Sequence, residues 1–315
     1  MGSQWQIESL AVHTRHALHL SLDPFTEIPF TVLVGQTHTP LALILAGVHG
    51  DEYEGPTAIL DLAAEIDVET LTGSILFVPF ANPAAFAAGT RRHPVDKGDL
   101  NRSFPGDPAG GPTAQLAHLL FQEFVLVANC IFSLHGWSKE AQLLPYAEYP
   151  ESSTEAARIS REAAYALGFH YLHPYQWPAG VLGNAAGAYQ IPIVEGEVGG
   201  IGSITKQGQQ LYREAILRFL DYFGIFPLNA AAPLEPKIIS HIEILAAQAG
   251  LFQSSVEIGE RVSAGQQLGL IRALDGSCLQ IISSPGAGTI GVQRTIASVQ
   301  PDNLLSQVFQ EREEL

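Results

Sequence analysis

Cysteine is scarce in this chain of 315 residues: Cys130 and Cys278 lie far apart, and neither belongs to a C-x-x-C pattern. A disulfide framework is therefore excluded, and both read as structural thiols, Cys130 within the apolar stretch FVLVANCIFSL. Positive charge is short as well, with 16 Lys and Arg against 32 Asp and Glu and a net charge of -16. Such a surface repels phosphate backbones and anionic bilayers, so neither nucleic acid nor a membrane is an expected partner, although a few arginines can still make one cavity positive. The chain has no run of about eighteen apolar residues, and MGSQWQIESL lacks a basic region followed by an apolar core. A soluble, cytoplasmic protein is expected. Longer internal repeats and low-complexity tracts are missing too.

Apolar residues, by contrast, make up 46% of the chain, ample for a sizeable core, and the length suits about two domains. Short apolar runs alternate with helical patterns: LALILAG (41–47), PTAILDLAAEI (56–66), SILFVPF (74–80), PTAQLAHLLFQEFVLVAN (112–129) and CIFSLHG (130–136). This rhythm predicts an α/β domain whose mixed, largely parallel sheet is flanked by helices. A further helix is expected over ESSTEAARISREAAYALG, a late strand at IPIVEGEV, and a closing helix over KQGQQLYREAILRFLDYFG that stops at Gly224. FPLNAAAPLEPK suits a linker. After residue 238 short, glycine-punctuated segments predict a smaller C-terminal all-β domain, a barrel or sandwich. The expected division is 1–228 and 238–315.

In an open α/β sheet the carboxyl ends of the strands form the ligand crevice, and LALILAGVHGDEYEG (41–55) delivers His49, Asp51 and Glu52 to that edge. The H-x-x-E spacing of His49 and Glu52 lets a ring nitrogen and a carboxylate oxygen converge on one ion. Zinc accepts both, and a catalytic site needs a third protein ligand with one position left open. CIFSLHG ends a second strand on His135, the best third ligand. The competing explanation is structural: His49 caps a helix, and Asp51 and Glu52 merely favour its N-terminus.

The stretch NPAAFAAGTRRHPVDKGDLNRSFPG (82–106) bears on that choice, because it gathers Arg91, Arg92, Asn101 and Arg102 in a loop rich in glycine and proline. Such loops carry function more often than framework. An Asn beside an Arg offers donors suited to a carboxylate, and a further Arg can polarise a carbonyl.

Taken in order, GVHGDEYEG, NPAAFAAGTR, DLNRSFPG, SLHG and IPIVEGEVGG resemble the succinylglutamate desuccinylase and aspartoacylase family, relatives of the zinc carboxypeptidases, over roughly residues 40 to 205. The glycine-punctuated C-terminal region also resembles the β-domain that family members append. The resemblance implies one zinc per chain on His49, Glu52 and His135, an oxyanion-stabilising Arg91, a carboxylate clamp of Asn101 and Arg102, and a catalytic Glu197. Glu197 is preferred to Glu195 as the base because the family glutamate directly precedes x-G-G. Ser133 departs from the pattern, since the family usually has an acidic residue two positions before the second histidine. There a serine offers only a neutral hydrogen bond to the ring, or a backbone carbonyl substitutes.

Two other patterns are set aside. HTRHALH spaces His13, His16 and His19 without a converging set of neighbours, and the glycines of GEVGGIG suit a tight turn beside Glu197 better than a dinucleotide site. The expected activity is hydrolysis of the amide of a small N-acyl amino acid. The alternatives are a metallocarboxypeptidase acting on peptides, including cell-wall peptides, and a binding module that keeps the fold without the chemistry. The acyl group, the amino acid and the oligomeric state are not encoded in any motif.

Overall fold

The computed structural model describes residues 5–23 and 26–313. A hairpin of β1 (Thr14–Asp23) and β2 (Thr26–Val34) precedes β3 (Leu41–Ala46), all six of whose residues are buried. An apolar strand without alternation suits the middle of a sheet covered on both faces. Helix α1 (Glu54–Glu65) returns the chain to β4 (Ser74–Val78), and α2 (Pro83–Ala88) and α3 (Pro112–Leu120) lead to β5 (Cys130–His135). Phe121–Val125 continue α3 as a π-helical turn, so the helix expected over 112–129 ends earlier and wider. There follow β6 (Ala141–Leu143), β7 (Tyr146–Pro150), α4 (Glu155–Ala166), β8 (Tyr171–Tyr175), α5 (Leu182–Ala188), β9 (Ile193–Glu197) and α6 (Lys206–Tyr222). Local chemistry sets these boundaries: Thr154 and Thr205 accept from the backbone amides of Ala157 and Gly208 at the starts of α4 and α6. Gly224, with φ +66, turns the chain away after α6.

Residues 226–236 run without regular structure. The remaining strands are β10 (Lys237–Leu245), β11 (Gly250–Ser254), β12 (Arg261–Val262), β13 (Gln267–Arg272), β14 (Cys278–Ser283), β15 (Gly288–Arg294), β16 (Ser298–Val299) and β17 (Leu304–Glu311).

The large sheet has the order β1-β2-β4-β3-β5-β9-β7-β8-β10-β17-β15-β12, with β6 on β15, and a separate antiparallel sheet runs β14-β13-β11-β16. The neighbours of β3, namely β4 and β5, and the pairs β5/β9, β7/β8 and β8/β10 are parallel. The sheet as a whole is mixed rather than largely parallel, because the β1/β2 hairpin, the reversed β7 and the strands after β10 all add antiparallel pairs. None of these strands has the continuous apolar run by which a buried parallel strand announces itself.

Alternate residues of β3 serve two cores. Ala42, Ile44 and Ala46 pack with α1, α4 and α6, whereas Leu41, Leu43 and Leu45 pack with α3, α5 and β2. Each fully buried Leu or Ile contributes about 1.5–3 kcal/mol, so the strand that presents His49 is among the best anchored parts of the molecule. A third cluster, including Phe252, Leu268, Ile290 and Val308, fills the space between the small sheet and the end of the large one. Among the described residues no helix is long and apolar enough to cross a membrane.

Candidate metal centre and cavity

Strands β3 and β5 are parallel neighbours, so the segments that leave their carboxyl ends bring His49 and His135 to one edge of the sheet. Just past β3, Gly50 is pressed against α2, where an added Cβ would lie 2.0 Å from the Ala85 backbone. Glu52 bridges the two rings, with Oε1 at 2.8 Å from His49 Nδ1 and Oε2 at 3.3 Å from His135 Nδ1. All three side chains are buried, and one donor atom from each lies within 4.8 Å of the others. The outer nitrogens have partners of their own: His49 Nε2 faces Asp99 Oδ1 at 3.3 Å, and His135 Nε2 faces Ser133 Oγ at 3.0 Å. Both Nδ1 atoms are thereby turned toward one point, an orientation that metal-binding histidines need. Two imidazole nitrogens and a carboxylate, with the cavity on the remaining side, fit the donor set of an open zinc site.

Without an ion the three donors balance one another's charge. Burial opposes a charge on Glu52, but His49 and His135 hold its pKa well below the usual carboxylate range. Burial likewise opposes protonation of His135, and the contact with Glu52 overcomes it, raising the imidazole to about 9.

Ser133, where the resemblance calls for an acidic residue, has a carboxylate beside it. Glu195 on β9 is in register with Ser133, and its Oε2 lies 3.9 Å from His135 Nε2. The negative charge beside the ring thus comes from the adjacent strand. Burial raises Glu195 to about 6, and its Oε1 is buried with no hydrogen-bond partner.

The loop that follows is built around Asp99. Asn82 caps α2 by accepting from Ala85 N at 3.1 Å, and Gly89 closes that helix in the left-handed region. The chain then reaches Arg91, whose Nε donates to Asp99 Oδ2 at 3.1 Å and whose Nη1 lies 3.7 Å from Glu52 Oε1. Asp99 also accepts from the Asn101 amide at 3.0 Å. Burial opposes its charge, but His49 and Arg91 keep it well below the usual carboxylate range. Asn101 Oδ1 accepts from Leu182 N at 2.9 Å, and Arg102 donates to the Asn101 carbonyl at 2.7 Å. Arg92, by contrast, is exposed and turned to the Lys97 carbonyl. Asp51 lies apart from the three donors, accepting from the Lys139 amide at 3.4 Å.

Glu197 ends β9 in register with His135 and accepts from the Trp137 amide at 3.2 Å. Trp137 has φ +42, a left-handed conformation that is costly for a bulky side chain and aims its N–H at this carboxylate. Burial raises Glu197 well above the usual range, and Glu52, Glu148 and Glu195 add to the effect. Immediately afterwards Gly199, at φ +101, packs against the Glu54 carboxylate in the expected tight turn.

His49, Arg91, Asn101, Arg102, His135 and Glu197 line one cavity of about 580 Å³, with Glu52 behind them. Its other wall contains residues that no motif flagged, among them Glu148, His173, Trp177, His241 and Glu243. Glu148 follows Ser133 and Glu195 across the sheet, and His173 comes next in the same row. His13, His16 and His19 do not converge: His13 pairs with Glu69 at 3.1 Å, and His16 bonds Thr14 at 2.7 Å.

Against this geometry stand the comparisons with known proteins. The family described as succinylglutamate desuccinylase/aspartoacylase catalytic domain matches residues 38–223. An N-alpha-acetyl-L-2,4-diaminobutyric acid deacetylase of Halomonas elongata is 30% identical over 298 residues, 91% of this chain and 87% of the relative. The product-bound ectoine utilization protein EutE (DoeB) of Ruegeria pomeroyi is similar in structure, with a TM-score of 0.88 at 25% identity over 96% of this chain and 97% of the other. A succinylglutamate desuccinylase/aspartoacylase of Rhodobacter sphaeroides gives 0.86 at 25% identity, over 95% and 96%.

Proposed function

Because this chain belongs to the succinylglutamate desuccinylase/aspartoacylase family, we propose that it is a zinc-dependent hydrolase that cleaves the amide of a small N-acyl amino acid. The observation that carries this reading is the convergence of His49, Glu52 and His135, buried and backed by Asp99 and Ser133, at the edge of a cavity lined by two arginines and Glu197.

In this reading one zinc per chain is held by His49, Glu52 and His135. When bound, it supplies a Lewis acid at the scissile carbonyl and an acidified water. Glu197 takes the proton from the attacking water and returns it to the departing amine. Arg91, fixed by Asp99, donates to the developing oxyanion. Asn101 and Arg102 hold the free carboxylate of the amino acid, Asn101 through its Nδ2 because Leu182 occupies its oxygen. Fixing that carboxylate orients the amide, so binding contributes to rate.

We read residues 1–228 as the catalytic domain and 238–315 as a β-domain that helps close the site. Ser240, His241, Glu243 and Gln307 supply part of the cavity wall, which suits a small substrate better than a polypeptide. A cytoplasmic location accompanies this reading. The test is a panel of N-acyl amino acids and short peptides assayed with zinc supplied. Hydrolysis of the N-acyl amino acids ahead of the peptides, with about one zinc per chain, is the expected result. Faster cleavage of oligopeptides would replace the deacylase by a carboxypeptidase, and no hydrolysis of either would leave a binding protein.

A further inference from the structure

Among the described residues, the only Arg or Lys side chains lining the cavity are Arg91 and Arg102, and both have tasks at the metal end. The opposite wall is acidic. Glu148 stands there with a side-chain exposure of 12%, its Oε1 2.9 Å from His173 Nδ1 and its Oε2 accepting from Trp177 Nε1 at 3.1 Å. Glu243 lies nearer solvent, touched by Gln307 Nε2 at 3.4 Å. A carboxylate held by two donors keeps further lone pairs, and neither glutamate has a Lys or Arg within ion-pair distance among the described residues. We propose that the amino acid this enzyme releases has a cationic side chain, an ammonium group that docks on Glu148 while Glu243 draws it in at the mouth. The proposal rests on the deacylase reading above.

Three observations converge on it. First, Glu148 is in register with Glu195, which is itself in register with Ser133, two residues before His135. Two strand spacings, roughly 10 Å, therefore separate the metal end from this carboxylate, a reach suited to a short side chain that leaves the scissile amide at the other end. Secondly, the charges share one space: burial, Glu148 and Glu243 all raise the Tyr175 phenol, and Arg102 lowers it. A substrate with its carboxylate on Arg102 and its ammonium on Glu148 would complement both. Thirdly, an anionic side chain, such as the aspartate or succinylglutamate of the family's name, would face these two glutamates with no cation to receive it.

The rival occupant is a second metal ion on Glu148, His173 and His241, whose donor atoms also cluster. An ionised carboxylate can only accept, so the 2.9 Å contact puts a proton on His173 Nδ1. His49 and Glu52 make the same kind of contact at the metal end, so zinc stoichiometry rather than this hydrogen bond separates the two occupants.

The experiment compares N-α-acetylornithine with its neutral isostere N-α-acetylnorleucine and with N-acetylglutamate on the zinc-loaded full chain. Calorimetric titration of free ornithine, norleucine and glutamate accompanies it. We expect kcat/KM to favour the ornithine derivative over the isostere by about tenfold or more, the scale of a charge-assisted hydrogen bond, and the glutamate derivative to be the poorest. Glu148→Gln should shrink that preference about tenfold, chiefly through KM. Glu243→Gln, on an exposed side chain where folding is not at stake, should shrink it a few-fold. Equal use of all three substrates, a preference for the glutamate derivative, or an ornithine preference unchanged in both variants would overturn the proposal. So would two zinc ions per chain falling to one in Glu148→Gln, which would give the wall to a metal. If no substrate is hydrolysed yet ornithine binds more tightly than norleucine, the deacylase reading fails and the cation subsite stands. Hydrolysis and binding without selectivity give the reverse.

Discussion

At the metal end of the cavity Glu52 lies between His49 and His135, and Asp99 lies between His49 and Arg91. At the far wall Glu148 is gripped by the rings of His173 and Trp177, and Glu243 accepts a hydrogen bond from the Gln307 amide. Both ends hold carboxylates in a concave, partly dry space, but Arg91 stands 3.7 Å from Glu52 and 3.1 Å from Asp99, whereas among the described residues no Lys or Arg pairs with Glu148 or Glu243. Buried charges with opposite partners in place form a fixed framework, and removing one member leaves the other costly to keep. Carboxylates held by a Trp N–H, an imidazole or an amide keep their negative field facing the cavity, where an incoming cation can answer it. Burial decides which end tolerates which arrangement: Glu52 is 4% exposed, whereas Glu243 opens to solvent.

The strongest way to break this comparison is to empty the metal end. His49→Ala and His135→Ala each delete a proposed zinc ligand, and a catalytic ion is worth several kcal/mol to such a reaction, so both should lose stoichiometric zinc and about 1000-fold or more in turnover. Elemental analysis alongside kinetics is the check. Full zinc in both variants would show that the ligands are misassigned. Glu197→Gln comes next. It should keep zinc and fold while turnover falls by about 100-fold or more, as for loss of a general base. Near-normal turnover there, with Glu195→Gln inactive, would move the base two residues along β9.

The two ends also differed in how far the sequence disclosed them. His49 and Glu52 follow a buried apolar strand that is visible as LALILAG, and His135 ends another, so local patterns deliver the metal end to one sheet edge. Arg91, Asn101 and Arg102 sit in one glycine- and proline-rich loop, so a single local pattern holds all three. The far wall has no such signature. Glu148, His173, His241 and Glu243 come from β7, β8 and β10, and only the order of strands brings them side by side. The same cause hid the β1/β2 hairpin and the reversal of β7. Their pairing is set by neighbours distant in sequence, whereas β3, β4 and β5 disclose their burial residue by residue. Glu195 shows the limit most plainly. The family resemblance marked Ser133 as a missing charge beside His135, but the register of β5 with β9 puts a carboxylate there from the neighbouring strand.

That register gives a prediction of intermediate size. If Glu195 serves His135 from across the strand boundary, Glu195→Gln should weaken zinc affinity by about 10- to 100-fold, the usual cost of losing an outer partner of a ligating histidine. Turnover at saturating zinc should change only a few-fold. Competition against a zinc chelator measures the first and steady-state kinetics the second. Ser133→Asp in the Glu195→Gln background should restore part of the affinity by returning the charge to the expected strand. An unchanged zinc affinity in Glu195→Gln would mean that Ser133 alone orients the ring.

The smallest effect separates the two glutamates of the far wall. Screening lengths fall from about 10 Å at 0.1 M salt to about 3 Å at 1 M, and exposed pairs are worth only about 0.2–1 kcal/mol. Glu243 is exposed and Glu148 is not, so salt should act on the former and largely spare the latter. The preference for N-α-acetylornithine over N-α-acetylnorleucine should therefore decline about threefold across that range. In Glu243→Gln the decline should disappear while a reduced, salt-independent preference persists, carried by Glu148 in its drier position. Rates for the neutral substrate serve as the control for general salt effects. A decline that survives unaltered in Glu243→Gln would place the salt-sensitive contact on Glu148 itself. Glu148 would then be as open to water as Glu243, and the contrast between a sealed inner carboxylate and a wet outer one would have to be abandoned.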